Sequence, residues 1–407
     1  MRLLWIATKP PVPPSDGGRL VAWLTLEALA RAGVEITLVA PVAPGEDPAR
    51  IQEELSAVCR PRLVPAAPGA LAAALLRSAA GSRPYAVARH ALPAVGREVA
   101  RLLAGGRFDA VHAEQVQAFA QAEPAQRAGL PVVLRAQNVE SDLWAAVARL
   151  RRWAGPWLGR EARRLARYEG ESVRRAAATM ALSERDAARL RELAGPGARL
   201  APIPPPFPAE LPAADSPLPG EPPLVLLGSG GWHPNRDGTR WFLAESWPAV
   251  RARIPGAVLH LFAAEGERPK QLPPGVEPHP PPADSRDAFA PGAVLVVPLR
   301  IASGVRMKIL EAWARGVPVV ASPEAAAGLE GRDGQDILLA EDGPGFAAGI
   351  GRIVSEPGLR ERLLAAGRRT LAARHDPAGV SRQILEVYRL AAEPPGAAGS
   401  RSKAPSE

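Results

Sequence analysis

Short apolar runs of strand character alternate with helical patterns along most of this chain, and the alternation begins twice. RLLWIAT (2–8) leads into a Pro/Gly loop, KPPVPPSDGGR, then the helical stretch LVAWLTLEALARAG and a second strand-like run, EITLVAP. Strand, loop, helix and strand in that order form a βαβ unit, which requires parallel strands and a right-handed crossover. FDAVHAE (108–114), PVVLRAQN (131–138), a long Arg-rich helical stretch over about 141–176 and ATMALSE (178–184) extend the pattern. A proline-dense segment, PIPPPFPAELPAADSPLPGEPP (202–223), then interrupts it. Proline has no backbone donor for a helix or a sheet ladder, so this segment reads as a linker or interdomain crossing. The alternation restarts with LVLLGSG, the helical GTRWFLAESWPAVRARIPG and AVLHLFAAEG. AVLVVPL, the helical KILEAWARG, PVVAS and DILLAED follow, and then the helices FAAGIGRIVSEP and GLRERLLAAGRRTLAA.

The expected fold is α/β: two Rossmann-like doubly wound domains, 1–203 and 224–376, joined by a linker at 204–223 and facing a central cleft. A last helix at about 377–392 is expected to pack back on the first domain, and 394–407 to form a disordered tail. With 47% hydrophobic residues in 407, the chain can bury two such cores. Ligands of doubly wound sheets bind beyond the carboxyl ends of the strands, which directs attention to the loops there.

Several classes are set aside. The longest apolar runs, such as VLVVPL, are far below the roughly 18 to 20 residues of a membrane span. MRLLWIATKPP has too short an apolar run to act as a secretory signal, so a cytoplasmic protein is expected. Cys59 is the single cysteine and the six histidines are scattered, without an HExxH or H-x3-H spacing, so no metal site is expected. The net charge of +8 favours anionic partners, although the Ala/Arg/Pro/Gly bias fits a GC-rich genome and accounts for part of it. No helix-turn-helix, RRM or zinc pattern is present, and nucleic acid is not an expected partner.

The richest stretch is PLRIASGVRMKILEAWARGVPVVAS (298–322). Ser303 and Gly304 lie at the turn into a helix starting near Met307. Backbone N–H groups and the helix dipole favour an anion there, and Arg306 and Lys308 add positive charge. Glu311 lies about one turn further in, and a carboxylate can accept both hydroxyls of a ribose. The set fits a nucleoside diphosphate. It also fits an ordinary strand–helix junction in which Glu311 pairs with Arg306 or Arg315.

In order, S-G-x-R-x-K-I-L-E-A-x-A-x-G-x-P-V-V-A-S resembles the donor site of retaining glycosyltransferases of family 4, which have the GT-B fold. The resemblance is greatest to bacterial sugar transferases of exopolysaccharide biosynthesis. PPVPPSDGGRLVAWLTLEALARAG resembles the family's first loop and helix. QNVESDLW with RYEGESVRRA and ALSERDA resembles its "HNxES … YE … A-x-SE" series, and GSGGWHPNRDGTRWFLAESWPAVRARIPGAVLHLFA its "GS … PN-x-x-G" segment. Roughly residues 1–390 are covered. The resemblance implies retaining, metal-independent transfer from a nucleoside-diphosphate sugar, a co-substrate rather than a cofactor. The acceptor would be a glycan or lipid-linked glycan in cell-surface polysaccharide biosynthesis.

It also implies roles. Arg306 and Lys308 would stabilise the leaving diphosphate, and Glu311 would hold the ribose. Gly17 and Gly18 would let backbone amides approach the donor from the first domain, or else form a plain turn. Gly228, Asn235 and Arg236 would belong to the donor loop. Ser229 and Asn235 stand where relatives often carry cations, with Arg236 as a partial stand-in. The family often has a glutamate pair spaced E-x7-E; Glu311 matches the second, and Ser303 replaces the first, sugar-facing one. His112 or Glu114, at the end of FDAVHAE, would face the sugar. Gln137, Asn138 and Glu140 would line the acceptor side, although Asn138 equally suits a helix cap.

Residues 149–175 carry nine arginines against three glutamates, with Trp153 and Trp157 among them. A basic helix with interfacial tryptophans suits an anionic membrane surface, and a peripheral place at the inner face of the plasma membrane would follow. A solvated helix face is the alternative. Two rival functions are a non-catalytic partner of a glycan assembly complex and a nucleotide-sugar 2-epimerase. A dinucleotide oxidoreductase is disfavoured because KPPVPPSDGG, not G-x-G-x-x-G, follows the first strand.

Overall fold

A computed structural model describes residues 1–66, 71–81, 83–150, 154–228, 233–282 and 284–393. Ser229, Trp153 and the proposed tail at 394–407 lie outside the described residues. The first half holds β1 (Arg2–Ile6), β2 (Glu35–Val42), β3 (Arg60–Pro65), β4 (Ala110–Glu114), β5 (Val132–Ala136), β6 (Ala178–Ala181) and β7 (Leu200–Pro202). They form one parallel sheet in the order β3-β2-β1-β4-β5-β6-β7. The second half holds β8 (Pro223–Leu227), β9 (Val258–Phe262), β10 (Val276–His279), β11 (Val294–Val297), β12 (Val319–Ala321) and β13 (Leu338–Leu339). These form a second parallel sheet, β10-β9-β8-β11-β12-β13.

Apolar clusters cover both faces of each sheet, as parallel sheets require. The strand order reverses between β1 and β4 in one sheet and between β8 and β11 in the other, and each reversal opens a crevice at the carboxyl ends. The residues singled out above lie at the end of β4 and in the segments that follow β1, β5, β8 and β11.

Sequence patterning missed β3, β7 and β10. All three are edge strands, and their sequences, RPRLVP, LAP and VEPH, contain proline. Proline is tolerated at an edge but erases the alternation by which a strand is read. Two expected helices are also divided. The Arg-rich stretch is two helices, Glu140–Leu150 and Gly155–Arg175, packed on each other, and Pro156 occupies the first turn of the second. The helix after the glycine loop begins at His233 and widens into a π-turn over Phe242–Ser246 before Trp247–Arg253, whose Pro248 lacks the N–H to continue a regular ladder.

The segment between β7 and β8 is strapped to the second half. Leu211 N–H donates to Ala314 O, and Ala214 N–H to Phe289 O, each at 3.0 Å. The helix Pro377–Ala392 returns to the first sheet, burying Val380, Ile384 and Tyr388 against Leu3, Trp5 and Ile36. At about 25 cal/mol per Å2 of apolar surface, a fully buried side chain of this size stabilises by ~1.5–3 kcal/mol, so this helix is integral to the first core.

Candidate active site

Two helix N-termini meet across the cleft. Gly17–Arg31 starts from the loop after β1, with Asp16 as its cap accepting from Arg19 N–H. Met307–Ala314 starts from the loop after β11, with Arg306 at its cap position. A Cβ placed on Gly17 would stand 3.8 Å from Met307 Cγ, so the two starts face each other at close range. Each presents unpaired N–H groups and the positive end of a helix dipole, which together favour an anion between them.

On the first-domain side, one hydrogen-bond network holds the glycine loop. Gln137 Nε2 donates to Gly18 O at 3.1 Å and to Glu114 Oε1 at 2.8 Å, while Gln137 Oε1 accepts from Gln115 Nε2 at 2.9 Å. Gln115 Oε1 in turn accepts from the Thr8 hydroxyl at 2.9 Å. Gln115 has φ +70, a left-handed conformation that few side chains adopt and that often marks a functional loop. A Cβ on Gly18 would lie 2.8 Å from Gln137 Oε1, so a side chain there would push the Gln137 amide out of this network. Lys9 Nζ bonds Asp16 Oδ2 at 2.7 Å. Burial alone would raise the Asp16 pKa, but Lys9 and the cap bond outweigh it and hold the carboxyl below its usual range.

His112 and Glu114 lie deeper than the sequence reading placed them. His112 is fully buried, stacked on Trp5 with ring centroids 3.6 Å apart. Its Nδ1 is 2.7 Å from the Tyr388 hydroxyl and its Nε2 3.0 Å from Glu114 Oε2. Burial lowers the His112 pKa. Glu114 is also lowered: burial opposes this, but His112, Arg135 and Gln137 more than compensate. A neutral imidazole that donates from Nε2 to an ionised Glu114 and accepts from Tyr388 satisfies every atom. His112 therefore does not reach the cleft, and Glu114, with both oxygens engaged, supports Gln137 rather than projecting into it. Arg135, fully buried, bonds Thr25 and faces Glu114 across this layer.

On the second-domain side, Lys308 Nζ donates to Leu227 O at 2.6 Å, which places the ammonium at the carboxyl end of β8, beside Gly228. Its surface remains partly exposed, yet crowding protein and neighbouring Arg306 pull its pKa down to about 7. Burial pulls Arg306 down to about 10 against the opposing effect of Asp186. Glu311 is buried, and among the described residues both its bonds end on Oε1, from Ser285 Oγ at 2.5 Å and Arg315 Nε at 2.9 Å. The pairing with Arg315 is present. Asn235 is buried and Arg236 half-buried on His233–Trp241, a helix that seats Gly238 against Pro298 O, where a Cβ would clash at 2.2 Å.

Ser303 and Gly304 bond across to the first domain instead of turning towards the crevice beside Lys308. The Ser303 hydroxyl accepts from Val139 N–H at 2.8 Å and donates to Asp186 Oδ1 at 3.2 Å. Gly304 N–H donates to Asp186 Oδ2 at 3.0 Å. These bonds join the two domains. Gly304 has φ +70, and a Cβ there would meet Gln137 O at 2.3 Å and Asn138 Oδ1 at 2.6 Å. Asn138 thus lies at the seam, and its Nδ2 donates to Glu140 Oε1 at 3.3 Å. Glu169, raised by burial to about 8, caps the helix at Glu140 and Ser141 N–H, at 2.7 and 3.1 Å. Burial raises Glu140 as well.

Thr8, Lys9, Gln115, Arg135, Asp186, Ser285 and Tyr388 were not legible as site residues. Their partners lie more than a hundred positions away in most cases, as for Thr8–Gln115 and His112–Tyr388.

Comparison with known proteins bears on this architecture. Residues 16–206 match the family profile described as "Glycosyl transferase 4-like domain", and residues 222–356 match "Glycosyl transferases group 1". Each half of the chain carries a glycosyltransferase domain, and the chain is a glycosyltransferase. Among curated proteins, this glycosyltransferase is 35% identical over 88 residues to the lipopolysaccharide core biosynthesis glycosyltransferase LpsE of Rhizobium meliloti. That match takes in 21% of this chain and 25% of the relative's length. Sucrose-phosphate synthase from Thermosynechococcus elongatus superposes with TM-score 0.72 at 19% identity, covering 96% of this chain and 98% of that one. Anabaena HepE, solved with UDP and glucose, gives 0.66 at 16%, covering 96% and 99%. At these identities the solved structures establish the fold, which is GT-B. No helix among the described residues is long and apolar enough to cross a membrane.

Proposed function

We propose that this glycosyltransferase takes its sugar from a nucleoside diphosphate bound between the two opposed helix N-termini. The supporting observation is their convergence with two cations: a side chain on Gly17 would reach Met307, while Arg306 and Lys308 stand on the opposite start. Glu311 would receive the ribose hydroxyls on Oε2. Arg306, Lys308 and the helix N–H groups would stabilise charge as it develops on the leaving diphosphate; removing one such positioned donor slows comparable reactions by about 10²–10³. No part of this reading calls on a metal. HepE, a neighbour in fold, binds UDP and UDP-glucose, which makes uridine nucleotides the first donors to try. The partial likeness to LpsE, a lipopolysaccharide core enzyme, favours a cell-surface glycan or its lipid-linked precursor as acceptor.

Retention of configuration is proposed on the family resemblance, with a departure: Ser303, in place of the sugar-facing glutamate, points to Asp186 rather than to the crevice. The basic Gly155–Arg175 helix carries Trp157, exposed at 44% and ringed by Trp144 and Tyr85 at 6.0 and 6.1 Å. It would rest on an anionic membrane surface.

Thermal-shift screening of UDP, GDP, ADP and their sugars tests the donor site, with Glu311→Ala beside the natural protein. A shift with one nucleotide that Glu311→Ala loses is expected. No shift with any of them, in folded protein, would overturn the donor site.

A further inference from the structure

At the edge of the second sheet, β9 and β10 pair with His260 opposite Glu277 and Phe262 opposite His279. Alternation puts the His260, Glu277 and His279 side chains on one face of the two strands. Among the described residues they form the one group of three whose ligand atoms all lie within 4.8 Å of each other. We infer that His260 Nδ1, His279 Nε2 and Glu277 Oε2 form a binding site for one zinc-like divalent transition ion, with a fourth position open to water.

His260 is fully buried, and its Nε2 is 2.9 Å from the carbonyl of Pro219. A carbonyl only accepts, so Nε2 carries the proton and Nδ1 presents its lone pair. That is the outer-shell arrangement that orients metal-ligating histidines. Nδ1 points at His279 Nε2, 2.9 Å away, and lies 3.5 Å from Glu277 Oε2. With metal–ligand bonds of about 2.0–2.1 Å, the edge of a tetrahedral site is about 3.3 Å. The carboxylate is already at that spacing, and the two nitrogens need to part by only about 0.4 Å. Without metal, His279 donates its Nε2 proton to His260; with metal, that proton moves to Nδ1 and the lone pair turns inward. His279 is held by stacking on Phe262, with centroids 4.6 Å apart. Glu277, with a side chain 48% exposed, gives the ion a route in.

Two imidazoles and one carboxylate select zinc and its neighbours over magnesium or calcium, which prefer all-oxygen sites. The ion would fasten the edge strand β10 to β9 and, through His260, to the linker carbonyl of Pro219. Ser285, bonded to Glu311, lies six positions after His279, so the clip stands at the base of the loop that supports the proposed ribose carboxylate. The histidines are nineteen positions apart on separate strands, and no local spacing announced them.

The test is titration of Zn²⁺ into chelator-stripped, tag-free full-length protein against a competing chromophoric indicator, with Co²⁺ as a spectroscopic probe. One Zn²⁺ per chain is expected, with visible Co²⁺ bands of four-coordinate intensity and a higher melting temperature. His279→Ala should abolish uptake. Glu277→Gln, at an exposed position, should weaken it by at least the ~10-fold typical of losing an outer-shell partner. Circular dichroism without metal confirms that both variants fold. No saturable uptake, or uptake unchanged in His279→Ala, would overturn the inference. No nucleotide is involved, so failure here is distinct from failure of the donor site.

Discussion

Lys308 makes nucleotide affinity depend on pH in a direction that can be worked out beforehand. Burial, with Arg306 nearby, lowers its pKa to about 7, against an ordinary lysine value of about 10.4. A bound diphosphate favours the ammonium and returns the pKa towards that ordinary value. Binding above neutrality must therefore take up a proton, and the dissociation constant should rise about tenfold per pH unit between about 7 and the pKa of the complex, since each unit corresponds to ~1.4 kcal/mol. From pH 6 to pH 8 the expected weakening is about tenfold. Below pH 7 Lys308 is already charged and contributes no slope. Isothermal titration with UDP in buffers of different ionisation enthalpy measures both the affinity and the protons taken up, which should approach one per nucleotide at pH 8. Lys308→Arg should flatten the profile while keeping most of the affinity at high pH, and Lys308→Met should flatten it at weaker affinity throughout. A Lys308→Met profile as steep as that of the natural protein, or no proton uptake at pH 8, would refute the assignment of Lys308 to the diphosphate. The same depressed pKa has a consequence without ligand. The unfolded chain binds one proton more than the native one between about pH 7 and 10, so this group makes stability rise with pH across that window.

Gly304→Ala tests the interdomain seam. The left-handed backbone disfavours alanine by ~1–2 kcal/mol, and the 2.3 Å approach to Gln137 O cannot be relieved by a side-chain rotation. A lower urea midpoint and faster proteolysis within the 298–306 loop are expected, and an unchanged midpoint would contradict the contact. Tyr388→Phe removes the hydroxyl from buried His112 Nδ1, leaves an unsatisfied acceptor and should destabilise by ~1–3 kcal/mol. An unchanged urea midpoint would show that the His112–Tyr388 bond is not formed.

The amino-acid sequence by itself determined the two α/β halves, the parallel strands and the strand-end loops that carry most of the candidate residues. Apolar runs, helical periods and proline-rich breaks are local signals, and local geometry reads them directly. It also located Arg306, Lys308 and Glu311 correctly relative to one helix start, because a strand–helix junction spans only a dozen residues. It did not reveal the edge strands, where prolines hide the alternation, or the end of the helix at Leu150. The tertiary structure alone decided which candidates face the cleft. His112 and Glu114 end a strand, as read, but Tyr388, brought back from the far end of the chain, and Gln137 take up their polar atoms and draw them inward. Ser303 precedes the helix Met307–Ala314, yet Asp186, 117 positions away, turns its hydroxyl to the other domain. Side-chain direction is set by the partners that satisfy each buried polar atom, and across a two-domain fold those partners are distant in sequence.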